Sequence, residues 1–490
     1  MGVLLDRLTA QGTSERPAGP RAHGSVRHRL GPLTTVGLTA VLAVPLLIGL
    51  AALRSPRWYP LTDMAQIEMR IRDVGLSHPP PLGLAGRIFG KGTAGAHPGP
   101  LSFYALAPFY RLLGSSAWAM QASAVTLEML ALAGTVWAAQ RRWRTWGAPL
   151  VAGGLALLMS LYGLEVLLYP WNPHLPVLFW VLFLVSMWGV LCDDLALLPV
   201  AMVAGSLCAQ THLPYLGLVG GFGLAVAGVL AVRFWRCRDD PRERRRLVWW
   251  TGLSGALGCL VWLPVVAEQI IIGDRPGNLG IIVDSFRHPI SPYVGPGDGV
   301  GLWLERLDPA SLVQGTSSWG GSRWWGLMAL VLWAGSAILA LRMRDRTLVR
   351  LHAVVGLALA LGLIAVSRII GPPWPYLMLW SWGTATLALV AIVATAATVT
   401  TRLAGVSELG ERRWRSRLLA TALGLLVFVP SVRLARQAPD IEFDAQLSRQ
   451  VAQLVPQVTD ALDDGTVPGG SSGTHLVTWY DPVNLGATGY

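Results

Sequence analysis

Apolar runs of 15 to 24 residues recur along most of the chain and are nearly free of charge. Each matches, or nearly matches, the roughly 20 residues that a helix needs to cross a hydrocarbon core about 30 Å thick. Inside lipid every backbone polar group must find a partner within its own segment, so runs of this kind become helices. The chain therefore reads as an all-α, multi-pass membrane protein. Of its 490 residues 53% are hydrophobic and only 14% charged, against about 25% charged in soluble domains.

Eleven spans are expected, near Thr34–Leu53, Ala117–Ala139, Trp146–Leu168, Leu175–Leu191, Leu195–Gln210, Tyr215–Val232, Leu247–Ala267, Trp324–Leu341, Leu351–Val366, Leu377–Thr398 and Leu418–Val432. Short loops between them hold the arginines. Arg141, Arg142 and Arg144 form one cluster, seven lie from Arg233 to Arg246, four from Arg342 to Arg350 and five from Arg402 to Arg417. With a cytoplasmic N-terminus, all four clusters share the cytoplasmic face of a plasma membrane, as the positive-inside rule asks. The net charge of +11 then records orientation, and no nucleic-acid partner is expected. Pro100–Leu113 is apolar but only about 21 Å long as a helix. A crossing there would invert every later loop, so it is expected as an outer-face or re-entrant helix.

Residues 1–33 read as a disordered basic tail, 34–433 as the transmembrane domain and 434–490 as an extracytoplasmic segment. In that segment Phe443, Leu447, Val451 and Leu454 have helical spacing. The HLVTWYD stretch beyond reads as the opening strand of an α/β unit that the sequence does not complete. The four cysteines are scattered singly and indicate neither a zinc site nor a disulfide framework.

The chemically informative residues fall on the other face. In the loop from Arg54 to Gly99, Met64, Ile67, Ile71 and Val74 make one helical stripe, and Asp63, Gln66, Arg70 and Asp73 another. This is the pattern of an amphipathic helix lying on the membrane surface. Asp63, at its start, has two compatible readings: a cap for free helix N–H groups and a catalytic base. His97, in the HPGP stretch, is a group able to meet metal or phosphate near neutral pH. Lys91, the only lysine, sits in a flexible-looking GKGT loop without Walker spacing. It reads either as a contact for lipid phosphate or as a solvated side chain.

In YPWNPHLP (Tyr169–Pro176), prolines around a Trp-Asn pair leave few conformers, which fixes Trp171, Asn172 and His174. Glu165, one turn earlier, is a carboxylate at the membrane boundary and a functional candidate on that ground. His212, Glu268, Gln269, Arg368 and Tyr376 end spans or line turns on the same face. Arg368 reads either as a buried phosphate clamp, its fork gripping two oxygens, or as an arginine snorkelling to the headgroups.

The ordered set of a first span followed by Thr62-Asp63, HPGPLSFYALAPFYRLLG, YPWNPHLP, SLCAQTHLPYL (Ser206–Leu216), WLPVVAEQIIIGDRPGNL (Trp262–Leu279) and SRIIGPPWPYLMLW (Ser367–Trp380) resembles the actinobacterial members of the GT-C glycosyltransferase superfamily. These are relatives of protein-mannosyltransferase-like and lipid-linked arabinose or mannose transferases, and the resemblance runs over residues 34–490. It implies a GT-C-like bundle that takes a sugar from a polyprenyl-phosphate carrier to a glycan or protein acceptor outside the membrane. Decaprenyl-phosphate arabinofuranose is the donor it implies first, with mannose open. Asp63 matches the family's acidic general base. Arg368, Lys91, His97 and His212 are the matches available for donor phosphate. Glu165, Trp171, Asn172, His174, Glu268, Gln269 and Tyr376 are expected to line the substrate space. Some members bind a divalent metal such as Mg or Mn; Asp63 with His97 permits one without requiring it. Two alternatives stand beside this reading. One is a transporter or flippase for lipid-linked sugar, although no internal repeat is evident. The other is an inactive lipid-binding scaffold.

Overall fold

The structure is a computed structural model that describes residues 24–143, 147–271, 276–310, 320–403 and 409–467. The first part of the expected tail and the expected strand at HLVTWYD lie outside the described residues. Helix α1 (Gly24–Ala52) begins ten residues ahead of the expected Thr34. It is followed by α2 (Thr62–Asp73), β1 (Ala85–Gly90), β2 (Thr93–Ala96) and α3 (Leu101–Leu112). The long segments α4 (Ala117–Arg142) and α5 (Gly147–Leu168) lead to α6 (Val177–Leu191) and α7 (Leu198–Thr211). Then come α8 (Pro214–Arg236), α9 (Pro241–Ile271), α10 (Asn278–Arg287), α11 (Gly295–Arg306) and α12 (Arg323–Arg342). The chain continues through α13 (Arg346–Ser367), α14 (Trp380–Leu403), α15 (Leu409–Ala435) and α16 (Ala445–Asp463).

Eight of these helices are long and apolar enough to cross a membrane: α1, α4, α5, α8, α9, α12, α13 and α14. Adding the shorter apolar α6 and α7, and α15 packed against α1 and α5, accounts for each expected span. The protein is a multi-pass, all-α membrane protein. Its central pillar is α6, whose sequence VLFWVLFLVSMWGVL is apolar on every side and buried from Val177 to Val190. A helix without a polar face needs neighbours all round; here α4, α7, α13 and α14 supply them. At 15 residues it is only about 22 Å long. The turns at its two ends are accordingly sunk in protein, with Asn172 and Asp194 both buried.

The turn after α6 gathers the arginines. Asp194 accepts from Arg141 Nε at 2.6 Å and Nη2 at 2.9 Å, and from Arg142 Nη2 at 2.8 Å. Asp193 accepts from Arg233 Nη1 at 2.7 Å and from Arg350 Nη1 at 2.8 Å. Its carbonyl takes Arg246 Nη2 at 2.6 Å. The basic ends of α4 and α8 and the basic starts of α9 and α13 therefore share one end of the bundle, as the parity of the sequence requires.

At the opposite end α3 is 12 residues long, about 18 Å, and does not cross. It buries Phe103, Leu106, Ala107 and Tyr110 while packing on α4 and α7. The stripe of α2 is buried, with Met64 at 1%, Ile67 at 2% and Ile71 at 0% exposure. The amphipathic pattern is thus realised against protein: α2 lays its apolar stripe on α3. Glu68 Oε1 accepts from Tyr110 Oη at 2.7 Å and Arg72 Nη2 at 2.7 Å, and Arg72 Nε reaches Tyr110 Oη at 2.9 Å. The GKGT loop is likewise not a flexible loop. It is the tip of an antiparallel hairpin pairing Gly90 with Thr93, and Lys91 (φ +49°) and Gly92 (φ +74°) supply the two positive angles that a two-residue turn demands. The hairpin lies flat on α10, where a Cβ on Gly90 would strike the Ile281 carbonyl.

Helix α5 is broken at Gly163 (φ +74°, ψ 166°), and the amide that follows, Leu164 N–H, donates to Gln437 Oε1 at 3.0 Å. Beyond α15 the chain folds back over the same end. Tyr169 Oη donates to Asp444 at 2.8 Å, Tyr59 N–H donates to Ser448 Oγ at 2.9 Å, and Phe443 stacks on Tyr169 at 4.7 Å.

Asp194→Ala leaves two guanidiniums facing protein without their shared carboxylate, a loss of about 2–4 kcal/mol for a largely buried ion pair. Asp193, half-exposed, is worth less. Thermal unfolding in detergent should fall by several degrees for Asp194→Ala and by clearly less for Asp193→Ala; equal shifts would contradict this ranking.

Candidate active site

Asp63 occupies the second position of α2 and does not cap it: the N-cap is Leu61, and no side chain closes the helix start. Its carboxylate instead accepts the indole N–H of Trp171 at 2.7 Å. Burial raises its pKa above the usual carboxylate range, and the Trp171 hydrogen bond works against that rise. The chain brings the partner in through YPWNPHLP. There His174 N–H and Leu175 N–H both return to the Trp171 carbonyl, at 2.9 and 3.0 Å, so the indole is held on a closed turn.

From Asp63 a continuous row of rings crosses this end of the bundle. Trp171 meets His174 edge-on at 5.0 Å and Tyr376 at 5.2 Å. Tyr376 lies 6.2 Å from His212, and His212 lies 5.0 Å from His97. His97 Nδ1 accepts the Leu213 N–H at 3.1 Å, which leaves Nε2 as the protonated nitrogen. Both ring nitrogens of His212 and Nδ1 of His174 are buried without a well-formed hydrogen bond. Burial holds the His97 pKa at about 4 and that of His174 at about 3, the latter opposed in part by the Tyr169 backbone. The His212 pKa is driven well down by burial and then by His97 and His174, against a pull from the Tyr376 backbone. At neutral pH the row is uncharged, so its only formal charge is the carboxylate of Asp63.

The structure thus gathers Asp63, Trp171, His174, Tyr376, His212 and His97, with Asn172 buried in the same turn. Other expected site residues stand apart. Glu165 follows the Gly163 break and is exposed. Glu268 is a helix cap: its carboxylate accepts Asn278 N–H at 3.2 and 3.3 Å and the Gln269 side-chain amide. Lys91 is exposed at the hairpin tip, with its backbone N–H on Asp284 at 2.6 Å. Arg368 is exposed instead of buried, its guanidinium 4.2 Å over the ring of Tyr293 and 3.3 Å from that hydroxyl. Tyr293 is bridged to Ile370, so Arg368 flanks the turn that carries Tyr376.

Three features escaped sequence reasoning. Arg87, on β1, is exposed and reaches the same turn; a Cβ on Gly371 would sit 3.8 Å from its Nη2. Trp58 and Tyr169, 5.9 Å apart, wall the site beside Asp63, joined by Phe443 from beyond the last span. The aromatic character of Trp58 and Tyr169 was visible, but nothing local in sequence pairs them. Among the described residues no three His, Cys, Asp or Glu side chains converge as a metal site. Asp63 and His97 are separated by three rings and each already accepts an N–H, so this pair does not fit a shared metal.

No protein-family model matches the sequence, and no curated protein matches it. Among solved structures, the crystal structure of ArnT from Cupriavidus metallidurans in the apo state aligns with a TM-score of 0.41 and 13% identity. The alignment covers 80% of this chain and 63% of that chain, so this chain spans less than two thirds of the ArnT length.

The depressed histidines make stability depend on pH. An unfolded histidine titrates near 6.5, so between that value and about 4 the unfolded chain binds the extra proton at His97. The contribution is complete above about pH 6.5 and is lost as pH falls toward 4; Asp63, with its raised pKa, works in the opposite sense. The unfolding temperature should drop from pH 7 to pH 5, and less steeply in His97→Asn, whose amide oxygen can still accept the Leu213 N–H. Parallel curves would remove His97 as the cause.

Proposed function

We propose that this protein is a membrane glycosyltransferase that moves a sugar from a polyprenyl-phosphate donor to an extracytoplasmic glycan or protein acceptor, with Asp63 as general base. The observation that carries the reading is the state of Asp63: a partly buried carboxylate of raised pKa, oriented by one indole N–H, at the end of the bundle opposite the arginines. A base works best when its pKa approaches the operating pH, and burial moves Asp63 in that direction. The sequence resemblance to GT-C transferases supports the same assignment.

In this reading the acceptor hydroxyl gives its proton to Asp63 while its oxygen attacks the anomeric carbon. The bond from that carbon to the phosphate oxygen breaks, and polyprenyl phosphate leaves with the bonding pair. The departing charge needs fixed donors. Arg87, which reaches Gly371 of the turn that carries Tyr376, and Arg368, at the start of that turn, are the cations proposed for it, and His97 and His212 are neutral N–H donors in the ring row. Trp171, Tyr376 and Tyr169 offer the flat apolar faces on which sugar rings stack. Lys91, at the hairpin tip, is a peripheral contact for the lipid phosphate. A decaprenyl-phosphate arabinofuranose donor is the first to test and the mannose analogue the second.

Purified protein with labelled decaprenyl-phosphate sugar and a cell-wall glycan acceptor should show transfer, and Asp63→Asn should lower it by about 10²–10⁴-fold. Wild-type rates in Asp63→Asn would dismiss Asp63 as the base. Trp171→Phe removes the donor that restrains the Asp63 pKa, so its acid limb should move to higher pH with activity recovering in alkali. A uniform loss at all pH values would assign Trp171 to packing alone.

A further inference from the structure

Helices α8 and α9 are apolar and sparsely covered by protein, and the connection between them carries more arginines than its acids can hold. Arg233 is bound by Asp193 and Glu243, and Arg246 by Glu243 and the Asp193 carbonyl. Arg244 lies over the ring of Phe234 at 4.9 Å. Among the described residues Arg242 and Arg245 have no acidic side chain within ion-pair distance. These two, with Arg246, Val248, Trp249 and Trp250, line a groove of about 620 Å³.

The groove changes character along its length. Guanidiniums stand at the first turn of α9, followed by Trp249 at 66% exposure. Leu253, Leu260 and Leu263 continue on the same side of the helix at 37%, 64% and 60% exposure. Three residue types in that order match the parts of an amphiphile: an anionic head, an interfacial zone suited to indole, and hydrocarbon.

We infer that this groove is a binding site for an anionic phospholipid, its phosphate held by Arg242 and Arg245 and its acyl chain laid along Trp249 and Leu253. The site lies at the arginine end of the bundle, away from Asp63, and stands whether or not the proposed transfer reaction is correct. It orders a lipid at the foot of two sparsely covered helices, and it supplies a counter-charge for Arg242 and Arg245.

The test uses the full-length protein in mixed micelles holding phosphatidylglycerol and phosphatidylcholine in equal amounts, with retained lipid counted by native mass spectrometry. Wild type should retain phosphatidylglycerol preferentially. The preference should fall by about fivefold per arginine removed, so Arg242→Gln with Arg245→Gln should abolish it, whereas Arg342→Gln should keep it. The preference should also shrink as salt rises from about 0.05 to 0.5 M, a readout on wild type that needs no variant. Equal retention of both lipids by wild type, or equal loss in Arg342→Gln, would overturn the site.

Discussion

Two adjacent carboxylates hold this fold at one end. Asp193 and Asp194, in the turn after a pillar too short to span on its own, receive five arginines from four helices through side-chain or carbonyl oxygens. Asp194 is buried and its ion pairs are costly to break, Asp193 is half-exposed, and together they fix which helix ends meet. With those ends tied, α4, α8, α9 and α13 radiate from one point, and the opposite end is left free to carry irregular backbone. Non-helical backbone at membrane depth is tolerated only where protein or water covers it. The YPWNPHLP turn is covered in that way, with Asn172 buried, Trp171 bonded to Asp63 of α2 and Tyr169 to Asp444 of the returning C-terminal segment.

The site that results has an unusual charge balance. Three histidines are kept neutral by burial, and the flexible cations are placed on the rim, so a partly buried carboxylate faces little positive charge directly. Burial raises its pKa, and a single indole donor opposes that rise. Among the described residues no three His, Cys, Asp or Glu side chains converge beside it, whereas a metal needs several charged or lone-pair ligands pointing at one spot. The aromatic rings around it exclude water without adding charge.

Most of the transmembrane architecture was legible in the sequence because apolar length and the placement of arginines are local signals. The eleven expected spans correspond to helices, and Pro100–Leu113 stays short of crossing for the reason its length gives. Asp63, Trp171, His174, His97 and His212 were identifiable as polar residues in proline-rich turns on one face. What was not legible depends on partners far away in the chain. Glu268 was expected in the site because it ends a span on that face; only the structure shows Asn278 N–H bound to it. Lys91 and Gly92 looked like a loose loop because two positive φ angles cannot be read from glycine content alone. Arg87 had no local signal, and Arg368 turned outward because Tyr293, 75 residues earlier, offers its ring.

The closure of Tyr59, Trp58 and Tyr169 by Phe443, Asp444 and Ser448 bears on how the molecule is made. Residues flanking the first long helix find their partners in a segment translated nearly four hundred residues later. Contacts of such separation form late, since the intervening chain must first be ordered. Helix α15 must also be seated against α1 and α5 before that segment can reach the site. The wall beside Asp63 is therefore among the last parts of the protein to be assembled at the translocon, and a chain halted before α15 holds Asp63 without its enclosure.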